Sequence, residues 1–147
     1  MFSYHSFQEK DLFEIMKMVK EELSYDYSPD IYLVIHSSWP QGTVVARYYN
    51  TIAGFIMAAL IRGGAVWVVL LVVKRQYQSK GLGSTLLREI IGRAIKQGAP
   101  YITLEVRVEN FKAIALYKKF GFRIEERKPN FYRDGGDAFR MKKILIS

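Results

Sequence analysis

Residues 65–73, AVWVVLLVV, are apolar at every position. Nine residues are too few to cross a bilayer as a helix, which takes about 20, and the β-branched and aromatic content predicts a strand. A strand with no polar face has to be covered on both sides, so it belongs in the middle of a sheet with further layers packed over it. The preceding run IAGFIMAALI, residues 52–61, is set off from it by Arg62-Gly63-Gly64, and TVVARYY, residues 43–49, comes before that across Asn50-Thr51. Three β-rich runs divided by turn residues predict consecutive antiparallel strands.

The flanking segments supply the layers. Residues 7–23 place Phe7, Leu12, Ile15, Met16, Val19 and Leu23 at helical spacing between charges, which predicts an amphipathic helix. After a break at Ser24 to Pro29, a shorter helix is expected from about Asp30 to His36, stopped by Trp39-Pro40. STLLREIIGRAIKQG, residues 84–98, reads as a helix closed by Gly98 with Pro100 beyond it. YITLEVRV alternates, with Ile102, Leu104 and Val106 on one face and Thr103, Glu105 and Arg107 on the other. Asn110 is placed to cap a helix over FKAIALYKKF, which Gly121 closes. FRIEERK and DAFRMKKILI are two last strands linked by NFYRDGG. The expected order is ααβββαβαββ, with a further strand open around Phe2 to Tyr4. Half of the 147 residues are apolar and no repeat or low-complexity stretch appears, which suits one mixed α/β domain over residues 1–147.

Composition excludes several chemistries. Without cysteine there is no disulfide, thiolate nucleophile or cysteine-ligated metal, and His5 and His36 stand apart from any acidic cluster. No metal site is expected. The start of the chain has neither a basic nor an apolar leader region, and no apolar run is long enough to span a membrane, so a soluble cytoplasmic protein with no membrane partner is expected. Net charge is +8, unevenly placed: residues 1–30 carry −4 and residues 31–147 carry +12. That asymmetry calls for an anionic partner or a solvated basic face. No basic tail is present, so a phosphate-bearing ligand is favoured over direct DNA binding.

Between the all-apolar run and the helix beyond it lies Gln78-Ser79-Lys80-Gly81-Leu82-Gly83-Ser84. A glycine-bearing turn at a helix N-terminus offers N–H groups and the positive end of the helix dipole to an anion. A Walker loop requires Gly-Lys-Ser/Thr, and here Gly83 is followed directly by Ser84-Thr85. The dinucleotide fingerprint requires a small residue where Leu86 stands. The remaining pattern, a polar or basic residue and two spacers before Gly-x-Gly, resembles the pyrophosphate loop of the GNAT acetyltransferase superfamily.

The resemblance extends over residue 7 to the C-terminus. LEVRVENFKAIALYKKFGF, residues 104–122, is similar to the second half of N-terminal protein acetyltransferases, and YSPDIYLVIHSSWPQGTVVARYYNTIAGFIMAAL, residues 27–60, resembles their first half, Ser38-Trp39-Pro40 included. It implies a GNAT fold: a mixed, mostly antiparallel α/β (α+β) sheet flanked by helices, with two central strands splayed to admit acetyl-coenzyme A. It implies cofactor contacts from Leu71, Val72 and Val73, from Gln78, Ser79, Lys80, Gly81, Leu82, Gly83 and Ser84, and from Asn110. Glu105 stands at the position of the family's proton acceptor and Tyr117 at that of its proton donor to the departing thiolate, near the cofactor. Tyr25, Tyr27 and Tyr32 in the first interhelical region, with Phe131 and Tyr132 in the last hairpin loop, correspond to segments that close over a peptide end. The chain departs from the pattern twice: Phe131 replaces a tyrosine, and Leu23-Ser24-Tyr25-Asp26 stands where a Leu-Pro-Glu-Asn segment carries a substrate-facing glutamate.

The activity so implied is direct transfer of acetyl to the α-amino group of proteins or peptides. An α-amine titrates near pH 8 and is about one-tenth neutral at pH 7, whereas a lysine amine near 10.4 is almost wholly charged. Two readings stay open beside it: the same fold acting on a small amine or a lysine side chain, and a noncatalytic module docking coenzyme A or the ribosome through the basic surface.

Overall fold

The computed structural model describes residues 1–145. All seven strands form one sheet in the order β1-β2-β3-β4-β5-β7-β6. These are β1 (Phe2–Ser6), β2 (Thr43–Tyr48), β3 (Thr51–Leu60), β4 (Val66–Val73), β5 (Tyr101–Arg107), β6 (Arg123–Lys128) and β7 (Ala138–Ile144). The helices are α1 (Leu12–Leu23), α2 (Pro29–Ser38), α3 (Leu82–Gln97) and α4 (Phe111–Lys119). Every pairing is antiparallel except β4 with β5. The strand open at the N-terminus is present. Ile146, expected to end the last strand, lies outside the described residues.

The first helix begins later than its spacing predicts. Phe7 is buried but lies outside the helix, because Gln8 and Asp11 cap each other: the Gln8 N–H donates to Asp11 Oδ2 at 2.9 Å and the Asp11 N–H to the Gln8 carbonyl at 2.8 Å. Asp11 is fully buried and ion-paired to Arg47 of β2 at 2.7 Å, which ties the helix start to the sheet.

Each face of the sheet carries its own core. On one, Leu82, Leu86, Ile90 and Ala94 of α3 and Ile114 of α4 pack on Val66, Val68, Ile102 and Leu104. On the other, Ile15, Met18 and Val19 of α1 and Tyr32 of α2 pack on Val45, Phe55, Met57, Leu70 and Val72. Strand β4 is thus central and covered on both faces, as its composition requires, but its even-numbered residues change sides partway along. The cause is a bulge: Ala58 of β3 opposes Val68 and Met57 opposes Leu70, which leaves Val69 unmatched. A run with no polar residue gives no signal of such a slip.

The bulge coincides with a gap. Strands β4 and β5 pair only at Val66–Ile102, Trp67–Thr103 and Val68–Leu104, after which β4 runs on to Val73 and β5 to Arg107 without pairing. This is the expected splay between two central strands, and the β5-facing edge of residues 69–73 is left without a strand partner.

Candidate active site at the splay

A cavity of about 370 Å³ opens on the α3–α4 side of the splay. Its walls are Leu71 and Val73 of β4, the loop from Tyr77 to Ser84, and Asn110, Lys112, Ala113, Leu116 and Tyr117 from the start and inner face of α4. The loop's shape follows from its sequence. Gly81 is the N-cap of α3 in the left-handed region, φ +88°, and Ser79 also adopts positive φ, +62°. Gly83 does not share that geometry. It lies in the first turn of α3, where a Cβ would meet only Leu116 Cδ2 at 3.5 Å. The demand for positive φ therefore falls on Ser79 and Gly81, and Gly83 serves by keeping the wall bare.

The first helical bond of α3 runs from the Thr85 N–H to the Gly81 carbonyl at 3.0 Å, and no side chain caps the helix. The N–H groups of Leu82, Gly83 and Ser84 thus lack intrahelical acceptors and sit at the positive end of a 16-residue helix. An anion fits this cradle. Gln78 braces the loop by donating from Nε2 to the Val73 carbonyl at 3.0 Å. Asn110 caps α4 by accepting from the Ala113 N–H at 3.2 Å and also lines the cavity.

Of the residues expected around a cofactor, Leu71, Val73, Gln78, Ser79, Gly81, Leu82, Gly83, Ser84, Asn110 and Tyr117 line this cavity, and two do not. Val72 turns its side chain into the opposite core, so it offers only backbone. Lys80 is exposed and is not part of the wall. Lys112, absent from the expected set, lines the cavity.

Tyr117 is 7% exposed, and burial pushes its phenol well above the ordinary value, with Tyr132 adding to the shift. On the far side of the splay a second cavity of about 380 Å³ opens, with Tyr132 in its lining. It is enclosed by Leu23 to Tyr27 after α1, by Val69 and Leu70 at the bulge, by Glu105 and Arg107 of β5, and by Phe131 to Asp134 before β7. Tyr25, Tyr27, Phe131 and Tyr132 are thus brought together. Tyr32 is not: at 1% exposure it lies in the core behind Tyr27, ring centroids 6.2 Å apart, and burial raises its phenol to about 12.

Arg107 organises the loop before β7. Its guanidinium stacks 4.1 Å over the Tyr132 ring and holds Asp134 at 3.1 Å. The hydrogen bond to Arg107 keeps the Asp134 carboxyl below the usual range. Burial, chiefly, pushes the Tyr132 phenol up to about 12 and raises Tyr27 as well. At neutral pH these phenols are hydrogen-bond donors and not bases.

Glu105 faces this second cavity with Thr103 and Arg107 on its face of β5, as the alternation predicts. Its carboxylate, 8% exposed, is clasped on both oxygens: Trp67 Nε1 donates to Oε1 and Arg140 Nε to Oε2, each at 2.9 Å. Neither partner is near Glu105 in sequence. They come from β4 and β7, which flank β5 in the sheet, and Glu105 is matched with Arg140 in the β5–β7 register. Each oxygen keeps a second lone pair for another donor.

Comparison with known proteins agrees with this architecture. Residues 10–122 match the Acetyltransferase (GNAT) family. The N-alpha-acetyltransferase MAK3 of Arabidopsis thaliana is 34% identical over 137 residues, which take in 89% of this chain and 70% of that protein. Three vertebrate relatives are longer, and the alignments span 37–52% of their length. The crystal structure of Ard1 from Thermoplasma volcanium superposes with a TM-score of 0.92 at 27% identity, over 99% of both chains. Arabidopsis thaliana Naa50 in complex with the bisubstrate analogue CoA-Ac-MVNAL gives 0.88 at 27% identity, over 98% of this chain and 99% of that one.

Proposed function

This chain belongs to the GNAT acetyltransferase family, and from that premise we propose that it transfers acetyl from acetyl-coenzyme A to the free α-amino group of protein and peptide N-termini. The observation that carries the reading is the pair of cavities meeting at one splay. A bare, N–H-lined cradle for a diphosphate lies on one side, and a tyrosine-rimmed cavity holding Glu105 lies on the other. The similarity to N-alpha-acetyltransferases, one of them bound to an analogue joining coenzyme A to a peptide, supports the same division of labour.

Acetyl-coenzyme A supplies a thioester-activated acetyl group. The N–H groups of Leu82, Gly83 and Ser84 hold its diphosphate, and the unpaired edge of β4 from Val69 to Val73 aligns the pantetheine arm and offers an N–H to the carbonyl oxygen, a contact worth about 3 kcal/mol when charge develops there. Tyr25, Tyr27, Phe131 and Tyr132 enclose the peptide end. Glu105 accepts a hydrogen bond from the incoming amine and takes its surplus proton. The C–N bond forms, the C–S bond breaks, and Tyr117 donates its proton to the sulfur, which leaves as the free thiol. With no cysteine in the chain, no thiol-linked acyl-enzyme intervenes. Under this reading the protein works in the cytoplasm on chains at or just released from the ribosome, and the +12 charge of residues 31–147 supports contact with that anionic particle.

The test is mass spectrometry of a peptide mixture incubated with acetyl-coenzyme A. Peptides with a free N-terminus should gain one acetyl group on the α-nitrogen, and N-terminally blocked peptides with an internal lysine should gain none. Faster modification of internal lysine or of small amines would replace this reading with the corresponding alternative.

A further inference from the structure

The structure assigns to Lys112 the grip on a phosphate of the nucleotide. Lys112 is the second residue of α4 and lines the cofactor-side cavity, opposite the loop that opens α3. Its Nζ donates to Ser79 Oγ at 3.1 Å, so one hydrogen bond links the two walls across the cavity. A neutral hydroxyl is a modest partner for an ammonium. Among the described residues no carboxylate lies within ion-pair distance of Lys112, and it is the one cationic side chain lining this cavity. The nearest acid in sequence, Glu109, is turned to Arg107 at 3.9 Å.

An uncompensated cation thus stands at a cavity whose other anion-directed groups are backbone dipoles. Ser79, the residue it touches, is in the left-handed region, and α3, with its unpaired N–H groups of Leu82, Gly83 and Ser84, begins three residues on. A phosphate entering between the walls offers Lys112 a charged acceptor in place of the hydroxyl, and such charge-assisted bonds are roughly twice as strong as neutral ones. A lysine binds phosphate as a point charge on a flexible stem, so it can serve either the diphosphate or the 3′-phosphate on the ribose. The inference rests on the proposed reading of this cavity as the coenzyme A site.

Calorimetric titration of the whole chain with coenzyme A and with 3′-dephospho-coenzyme A tests it, using wild type, Lys112→Ala and Lys112→Arg. Lys112 is exposed, so neither variant should lose the fold, and a thermal melt checks this. Wild type should bind coenzyme A, Lys112→Ala should bind it roughly tenfold more weakly, and Lys112→Arg should recover most of the loss. In turnover, the alanine variant should raise KM for acetyl-coenzyme A and leave kcat unchanged. An equal loss for both nucleotides assigns Lys112 to the diphosphate, and a loss seen only with coenzyme A assigns it to the 3′-phosphate. Unchanged affinity of Lys112→Ala for both overturns the inference and leaves the cofactor site standing. No heat from wild type with either nucleotide overturns the reading beneath it.

Discussion

Replacing Glu105 with glutamine separates two roles that the geometry assigns to one carboxylate. The side chain is clasped at 2.9 Å by Trp67 Nε1 on one oxygen and by Arg140 Nε on the other. Glutamine keeps the volume but has one oxygen and one NH₂ group, so whichever way it turns, one of the two donors faces another donor. A buried donor left unsatisfied costs about 1–3 kcal/mol. Arg140 is 32% exposed and has Glu126 at 3.5 Å as a second partner, so the lower half of that range applies, about 1–2 kcal/mol. For a chain of this size that is a fall in Tm of roughly 3–6 °C. The catalytic effect is larger: loss of a positioned proton acceptor lowers kcat/KM by about 10²-fold or more. It should also shrink as pH rises, because an amine of pKa near 8 sheds its own proton above that value. The assay is release of free thiol from saturating acetyl-coenzyme A with the peptide varied across its KM, run from pH 7 to 9 beside a thermal melt. If Glu105→Gln lowers Tm as stated but keeps kcat/KM within twofold of wild type at pH 7, Glu105 is a structural clasp and another group takes the proton.

Four further outcomes are expected. Gly83→Ala should leave Tm unchanged or slightly higher, since the position is helical and the added methyl makes only an ordinary contact, yet weaken coenzyme A binding at least fivefold in calorimetry; Gly81→Ala, forced into φ +88°, should also lose about 1–2 kcal/mol of stability by denaturant titration. The profile of kcat/KM against pH should rise as the substrate amine loses its proton near pH 8 and stay level to about pH 10. Raised pKa values keep the Tyr117 and Tyr132 phenols protonated throughout that window, and a descending limb at 9–10 would show a donor ionising at its ordinary value. Asp11→Ala, which leaves Arg47 with Glu14 at 3.7 Å as its carboxylate partner and frees the Gln8 N–H, should cost about 1–3 kcal/mol in denaturant titration without changing KM for acetyl-coenzyme A.

Much of this was legible in the sequence because it depends on local pattern. The all-apolar run placed β4 at the centre of a covered sheet, alternation put Glu105 and Arg107 on one face of β5, and Asn110 announced the start of α4. Resemblance supplied the splay and the gathering of Tyr25, Tyr27, Phe131 and Tyr132. The rest depends on contacts between strands distant in sequence. The clasp on Glu105 joins residues 67, 105 and 140, which only the order β4-β5-β7 brings together. The bulge at Val69 is silent because its neighbours are all apolar. Tyr32 lies on the face of α2 that turns into the core, whereas Tyr27 stands in the loop before that helix. Lys112 carries no motif at all, and what singles it out is its place as the one cation on the cavity wall, visible only once α4 is set beside the loop that opens α3.

The central claim is that one splay receives the cofactor from one side and a peptide end from the other. A crystal structure of the chain with a bisubstrate analogue joining coenzyme A to a short peptide tests it most directly. Diphosphate oxygens should lie within about 3 Å of the N–H groups of Leu82, Gly83 and Ser84, the sulfur between Leu71 and Tyr117, and the peptide should leave past Tyr25, Tyr27 and Phe131. A nucleotide bound elsewhere on the surface, or a peptide leaving on the same side of the sheet as the diphosphate, would contradict it.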